Sequence, residues 1–195
     1  MESDNIAEVH PLPPFLPDGA RLLMLGSFPP PCVRWSMDFF YPNLQNDMWR
    51  IFGLVFFGDR EHFVVPGGKL FDKDMIVEFL REKGIALSDT ARAVIRHKGN
   101  ASDKFLEVAE SADVAGMLAA IPDCRTVVTT GDKASQTLAA TTASVQPKVG
   151  TFEEIEYAGR VLRHYRMPSS SRAYPKPITE KAEIYAAMFR ETGIL

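Results

Sequence analysis

Two short segments, far apart in the chain, each follow an apolar run of the kind that forms a buried strand. Residues 26–31 (GSFPPP) follow residues 21–25, and residues 167–172 (MPSSSR) follow residues 161–166. Glycine lets the backbone approach a ligand closely, and prolines stiffen the loop around it. In an open parallel sheet, ligands bind outside the carboxyl ends of the strands. The two segments therefore predict one cleft that is built from both ends of the chain.

A third segment, DFFYPNLQNDMW, combines aromatic rings with side-chain amides. Phe39, Phe40 and Tyr41 are consecutive and cannot all face one core, so we expect at least one ring to line the concave side of the loop. The amides of Asn43 and Asn46 offer donors and acceptors, which suits the edge of a nucleobase. The alternative is an aromatic cluster beneath a long loop, with the amides capping the next helix. The residue types alone leave both arrangements open.

Charge is distributed unevenly along the chain. The net charge is −3, but residues 157–179 contain five Lys and Arg and no Asp or Glu, so the remainder carries −8. One basic face on an acidic body is the electrostatic pattern that binds a polyanion such as a nucleic acid. The alternative is a strand whose arginines are simply solvated.

Length and composition indicate a single globular domain over residues 1–195. We expect its proline-rich N-terminal arm, at residues 1–19, to wrap the surface without regular structure. The 195 residues are 46% hydrophobic, which is enough for a real core. Two cysteines cannot build a disulfide framework or a four-cysteine metal site. The polar start of the chain lacks the basic and apolar regions of a secretory signal, and no apolar run is long enough to span a membrane. We therefore expect a cytoplasmic protein that does not insert into membranes.

Strands alternate with helices along the sequence, which predicts an α/β fold with a mostly parallel sheet. Asn46 is the expected N-cap of the first helix, and Gly84 the C-cap of the second. Residues 27–45 form a long irregular segment, and such segments inside compact domains are usually functional. The sequence contains no GxGxxG, P-loop or HExxH motif. The predicted strands lie at residues 21–25, 85–87, 126–130, 152–157 and 160–166, and the predicted helices at 46–57, 72–83, 102–120, 133–140 and 179–190.

The order of these motifs resembles the uracil-DNA glycosylase superfamily, and the resemblance covers nearly all of the chain after residue 20. It rests on GSFP at 26–29, FYP and NDMW between 40 and 49, GIALSD at 84–89, KGNASD at 98–103, VVTTGDKA at 127–134 and MPSSS at 167–171. Its hypoxanthine-DNA glycosylase and mismatch-specific uracil/thymine-DNA glycosylase branches are the most similar. The resemblance implies a three-layer αβα fold and a monomeric base excision repair enzyme. Such an enzyme flips a deaminated base, hypoxanthine or uracil, out of DNA and hydrolyses its N-glycosidic bond without a metal or organic cofactor.

The resemblance also implies roles for individual residues. Asn46 would position the attacking water, and Asp89 is a second candidate for that role. Phe39 or Phe40 would stack on the flipped base. The wall of the base pocket would be formed by Gly26, Ser27 and Phe28 together with those rings, and the DNA backbone would be held by Ser169, Ser170, Ser171 and Arg172.

One position departs from the family pattern. Phe28 stands where the main uracil and mismatch-specific branches carry the water-positioning Asn or Asp, and a phenylalanine cannot do that work. Two alternatives to a glycosylase therefore stay open. One is a catalytically inactive relative that binds nucleic acid, and the other is an enzyme that acts on free nucleosides or nucleotides.

Overall fold

A computed structural model describes residues 6–97 and 103–195 of the chain. These residues form eight strands and five α-helices. The strands are β1 (Glu8–Val9), β2 (Leu22–Gly26), β3 (Ile85–Asp89), β4 (Ala91–Arg96), β5 (Leu106–Ser111), β6 (Thr126–Thr130), β7 (Thr151–Tyr157) and β8 (Arg160–Met167). The helices are α1 (Met48–Phe57), α2 (Lys73–Lys83), α3 (Val114–Ala120), α4 (Asp132–Thr142) and α5 (Ile178–Glu191).

The central sheet has five strands in the order β3-β2-β6-β8-β7. The first four run parallel to one another, and β7 runs antiparallel at the edge beside β8. Gly26 pairs with Asp89, and Thr130 pairs with Met167, so the four parallel strands end almost level with one another. The loops that follow these strands therefore leave from one edge of the sheet.

Helices cover both faces of the central sheet, which confirms the predicted α/β layering. Side chains alternate along a strand, so neighbouring residues enter opposite cores. On β2, Leu22 and Met24 join the core beneath α1, α2 and α5, whereas Leu23 and Leu25 join the core beneath α3 and α4. Both faces of the strand are buried, which explains its uninterrupted apolar sequence.

A second, smaller sheet corrects two of the sequence predictions. Strands β4 and β5 pair antiparallel, and β1 of the N-terminal arm pairs with the other edge of β4. The helix predicted at 102–120 is wrong for most of its length. In its place lie a 3-10 turn at Asp103–Phe105, strand β5 and the short helix α3. The arm, predicted to be irregular, docks through a strand and through a bridge between Phe15 and Leu87.

The remaining predicted elements match the structure to within two residues at each end. Helix α2 begins after Asp72, which caps the Met75 N–H, and ends at Gly84, which has a φ of 67°. Helix α1 begins at Met48, so Asp47 and not Asn46 occupies the N-cap position. Residues 1–5 and most of the KGNASD motif lie outside the described residues. None of the described helices combines the length and hydrophobicity that a membrane span requires.

Candidate active site

A cleft of about 610 Å³ opens at the carboxyl edge of the parallel strands. It is lined by the loop after β2, the segment before α1, the end of β3 and the loop after β8, as the sequence predicted for one shared cleft. Of the predicted site residues, Phe39 alone is absent from its lining. The predicted residues that do line it are Gly26, Ser27, Phe28, Phe40, Asn46, Asp89, Ser169, Ser170, Ser171 and Arg172.

Asp89 is held in a buried position at the end of β3. Its Oδ2 lies 2.7 Å from Nε2 of His10, and both side chains are less than a tenth exposed. The other oxygen, Oδ1, lies so close to Gly26 that a Cβ on this glycine would clash with it. A glycine at the end of β2 is therefore needed for the carboxylate to occupy this place.

Tyr41 adds a buried hydroxyl beside the same carboxylate. The hydroxyl lies 2.7 Å from Oγ1 of Thr130, the last residue of β6. Burial, and secondly the Asp89 charge, raises the pKa of Tyr41, so the phenol stays neutral. Its backbone has a φ of 51°, a left-handed conformation that is costly for a residue with a side chain. Strain of this kind concentrates at functional sites.

The aromatic residues of the predicted site divide between cleft and core. The ring of Phe40 lines the cleft, and its carbonyl accepts a hydrogen bond from the Trp49 indole at 3.1 Å. Phe39 points into the core, where its ring packs between those of Phe15 and Trp49. Phe28 lines the cleft and packs edge to face with His10, at 5.2 Å between ring centroids. Phe40 is thus the ring of the 39–40 pair that can reach a ligand.

Asn46 joins the two loops that the sequence singled out. Its backbone forms an isolated β-bridge with Ser171, and the next residue, Asp47, donates its N–H to the Ser170 carbonyl at 3.0 Å. Its Oδ1 accepts the Met48 N–H at 2.9 Å, which closes the turn into α1. No other hydrogen bond of this side chain occurs within residues 6–97 and 103–195. The two N–H donors of the amide and the second lone pair of its oxygen are therefore available to a ligand in the cleft.

The loop after β8, which contains Ser169, Ser170 and Ser171, brings serine side chains to the cleft. Ser169 Oγ accepts the N–H of Ser171, and Ser171 Oγ accepts the N–H of Ala173, each at 3.2 Å. A hydroxyl that accepts from the backbone still carries its own proton, so both can donate to a phosphate oxygen. The buried ammonium of Lys181 fixes this loop by donating to the Ser171 carbonyl at 2.8 Å. Burial lowers the pKa of Lys181, and the Asp47 charge opposes that effect.

Three of the five Lys and Arg residues in 157–179 form ion pairs with carboxylates of the same chain. Arg166 bonds Asp132 at 2.8 Å, and Lys176 bonds Glu180 at 3.2 Å. Arg172 bonds Asp47 at 2.9 Å but leaves about half of its side chain exposed at the rim of the cleft. A cation that the sequence analysis missed, Arg34, lines the same rim and makes no ion pair within the described part of the chain.

A second carboxylate, Asp103, faces the cleft beside Asp89. It accepts a hydrogen bond from the Ser27 hydroxyl at 2.8 Å. Burial raises its pKa, and the Asp89 charge adds to the rise, while Ser27, Lys133 and Arg96 oppose it. His164, on β8, is fully buried, and its Nε2 lies 2.9 Å from Oγ1 of Thr129. Burial lowers the pKa of His164 to about 4, so it is neutral.

The sequence analysis missed His10, Tyr41, Thr130, Asp103 and Arg34 as named site residues. Asp103 and Tyr41 lay within quoted motifs, whereas no local signal marked the histidine of the proline-rich arm. Across the described residues there is no group of three or more His, Cys, Asp or Glu that could hold a metal ion.

Neither protein-family models nor curated proteins match this chain. A solved structure does: the solution NMR structure of a "putative Uracil DNA glycosylase" from Methanosarcina acetivorans. The two chains are similar with a TM-score of 0.63 and 22% sequence identity, over 96% of this chain and 99% of the other. At this identity the likeness establishes the fold, a mixed α/β domain with a mostly parallel central sheet like that of the archaeal protein.

Gly26→Ala tests whether the glycine makes room for the Asp89 carboxylate. The added methyl group collides with Oδ1, and forced overpacking of this kind costs about 1–3 kcal/mol of stability. Urea unfolding measures the loss. In an Asp89→Ala background the same change should cost less than half as much, because the colliding oxygen is gone. An equal cost in both backgrounds would contradict this explanation.

Asp103→Asn tests the burial of the second carboxylate. Burial raises the pKa of Asp103 in the folded protein, so the folded protein holds a proton on this carboxyl more tightly than the unfolded chain does. Stability contributed by the protonated carboxyl is therefore lost as pH rises through that raised pKa. The variant should gain stability relative to the wild type between pH 4 and pH 7, measured by urea unfolding across that range. A difference between the variant and the wild type that does not change with pH would contradict this explanation.

Proposed function

We infer that this protein is a DNA glycosylase that accepts a deaminated base, hypoxanthine or uracil, flipped out of DNA. The observation that carries the proposal is the convergence of Phe40, Asn46, Asp89 and the loop after β8 on one cleft. Each supplies what base removal needs: a ring to stack on the base, an amide or carboxylate to hold water, and donors for phosphates. The likeness in fold to a protein described as a glycosylase supports the same proposal.

The proposed reaction is hydrolysis of the bond between the base and C1′ of deoxyribose. As that bond loosens, the base takes up negative charge and the sugar becomes electron-poor, so a correctly placed water can attack C1′. The amide of Asn46 would hold this water, because its oxygen keeps one free lone pair after binding the Met48 N–H. Asp89 is the second candidate for this task, through the oxygen that His10 does not hold.

Binding of the DNA backbone is assigned to the rim. Ser169 and Ser171 would donate to phosphate oxygens through their hydroxyl protons, and Arg172 would supply a positive charge. Arg34 would contribute a second charge from the opposite loop. These contacts would hold the duplex in place while the unstacking of one base, which costs a few kcal/mol, is offset by contacts in the cleft.

A catalytically inactive DNA-binding relative is the second candidate, and one observation favours it. Phe28 lines the cleft with an apolar ring packed near Ala91, Val94 and Leu106, so the position that resembles the water-positioning Asn or Asp of other branches carries no polar side chain. Such a protein would bind duplex DNA with an affinity that falls steeply with salt, and it would release no base.

Single-turnover assays with protein in excess test the proposal. The substrates are duplex oligonucleotides carrying one uracil, hypoxanthine, xanthine or mispaired thymine, and the same bases are offered as free deoxynucleosides. Release of uracil or hypoxanthine from DNA is expected. Salt-dependent DNA binding without base release would favour the inactive relative, and cleavage of free deoxynucleosides alone would favour the nucleoside enzyme.

Asn46→Ser and Asn43→Ser form a matched pair for the proposed role of Asn46. Each asparagine accepts, at 2.9 Å, the backbone N–H two residues further on, a contact that serine also makes. Asn46→Ser should lower the cleavage rate constant by roughly 100-fold, the scale on which the loss of one positioned hydrogen-bonding group acts. Asn43→Ser should change the cleavage rate constant less than about fivefold, because Asn43 is not assigned to hold the water. Equal effects of the two variants would contradict the assignment.

A further inference from the structure

The N-terminal arm places His10 beside Asp89, behind the wall of the cleft. The arm that carries it is held by β1, by the His10 N–H bonded to the Arg92 carbonyl at 2.8 Å, and by the bridge between Phe15 and Leu87. Its imidazole is buried, and it reaches Asp89, which lies 79 residues further along the chain.

The imidazole is fixed at both nitrogens. Nδ1 lies 3.1 Å from the Leu12 backbone nitrogen and 2.9 Å from the Leu12 carbonyl, so either a neutral or a protonated ring is satisfied there. A carboxylate oxygen accepts hydrogen bonds, so we assign Nε2 of His10 as the donor to Oδ2 of Asp89. One oxygen of Asp89 is thereby occupied, and the rotation of the carboxylate is set.

The same ring supports two aromatic walls of the cleft. It packs edge to face against Phe28 and lies 6.1 Å from the centroid of Phe40, at an angle of 34°. One residue of the arm therefore contacts three groups of the candidate site: Asp89, Phe28 and Phe40. His10 itself does not line the cleft, and so it acts on a ligand only through these three.

We propose that His10 is a positioning residue for base removal: it orients the Asp89 carboxylate through Nε2 and supports the ring that stacks on the base. The proposal rests on the proposed glycosylase function and deepens it, because it makes the N-terminal arm a part of the active site. A merely structural histidine would anchor the arm, and any variant that keeps the arm docked would then keep full activity.

His10→Gln and His10→Asn separate these two roles. The amide nitrogen of glutamine takes the place of Nε2 and can donate to Asp89, whereas that of asparagine takes the place of Nδ1 and reaches only Leu12. Asparagine should lower the single-turnover rate constant for base release from duplex DNA by about 10- to 100-fold, the effect of losing a hydrogen bond to a charged group. Glutamine should stay within about threefold of the wild type, since that bond is kept. The DNA affinity of both should be unchanged.

Glu8→Gln is the control for docking of the arm. It weakens the ion pair between Glu8 and Arg96 without touching Asp89, so base release should stay at the wild-type rate. A loss in this control as large as that of His10→Asn would show that docking alone matters and would overturn the proposal. A wild-type rate for His10→Asn would overturn it as well.

Chemical rescue provides a second test. It compares base release by one folded variant with and without an added small molecule. His10 also lines a separate cavity of about 380 Å³, together with Val9, Arg92 and Gly116, through which a small molecule can reach the vacated space. In His10→Ala, added imidazole should restore base release, and 1-methylimidazole, which has no N–H when neutral, should not. Equal rescue by both compounds, or by neither, would overturn the proposal. A wild-type protein that releases no base would instead overturn the glycosylase function on which it rests.

Discussion

The register of the parallel strands is the constraint on which the rest of the cleft depends. Gly26 lies beside Asp89, and Thr130 lies beside Met167, so every loop at this edge starts next to the others. Because side chains alternate along a strand, a slip of one residue would turn Asp89 to the opposite face of the sheet. Burial of β2 on both faces favours this register, since a slip of one residue would exchange the residues of the two cores.

Hydrogen bonds then connect the loops that this register brings together. Asn46 and Ser171 share a β-bridge, and Lys181 from α5 holds the Ser171 carbonyl from behind. The residue proposed to hold water and the loop proposed to hold phosphate are therefore joined directly by their backbones. A phosphate bound at the serines would fix Asn46 through the backbone, which couples recognition of the duplex to the chemistry on the base.

Local signals explain what the sequence could and could not predict. The β-branched run of β6 and the caps at Asp72 and Gly84 act over a few residues, so these elements were predicted. Strand β5 (LEVAES) has one buried side chain and helix-favouring alanine and glutamate, and only its pairing with β4 makes it a strand. The order of motifs located the cleft, but it could not choose between Phe39 and Phe40. Nor could it reveal His10, whose partner is 79 residues away, or the ion pairs that Arg166, Arg172 and Lys176 form with carboxylates outside the basic span.

The central claim is that one extrahelical base occupies the cleft at the carboxyl edge of the sheet. The most direct measurement is a crystal structure with duplex DNA that carries a 2′-fluoroarabino analogue of deoxyinosine or deoxyuridine, whose glycosidic bond resists hydrolysis. The account predicts the base outside the helix and stacked on Phe40, C1′ near enough to Asn46 or Asp89 for one of them to hold the attacking water, and phosphates at Ser169 and Ser171. DNA bound at another surface, or a base that stays stacked in the duplex, would contradict it.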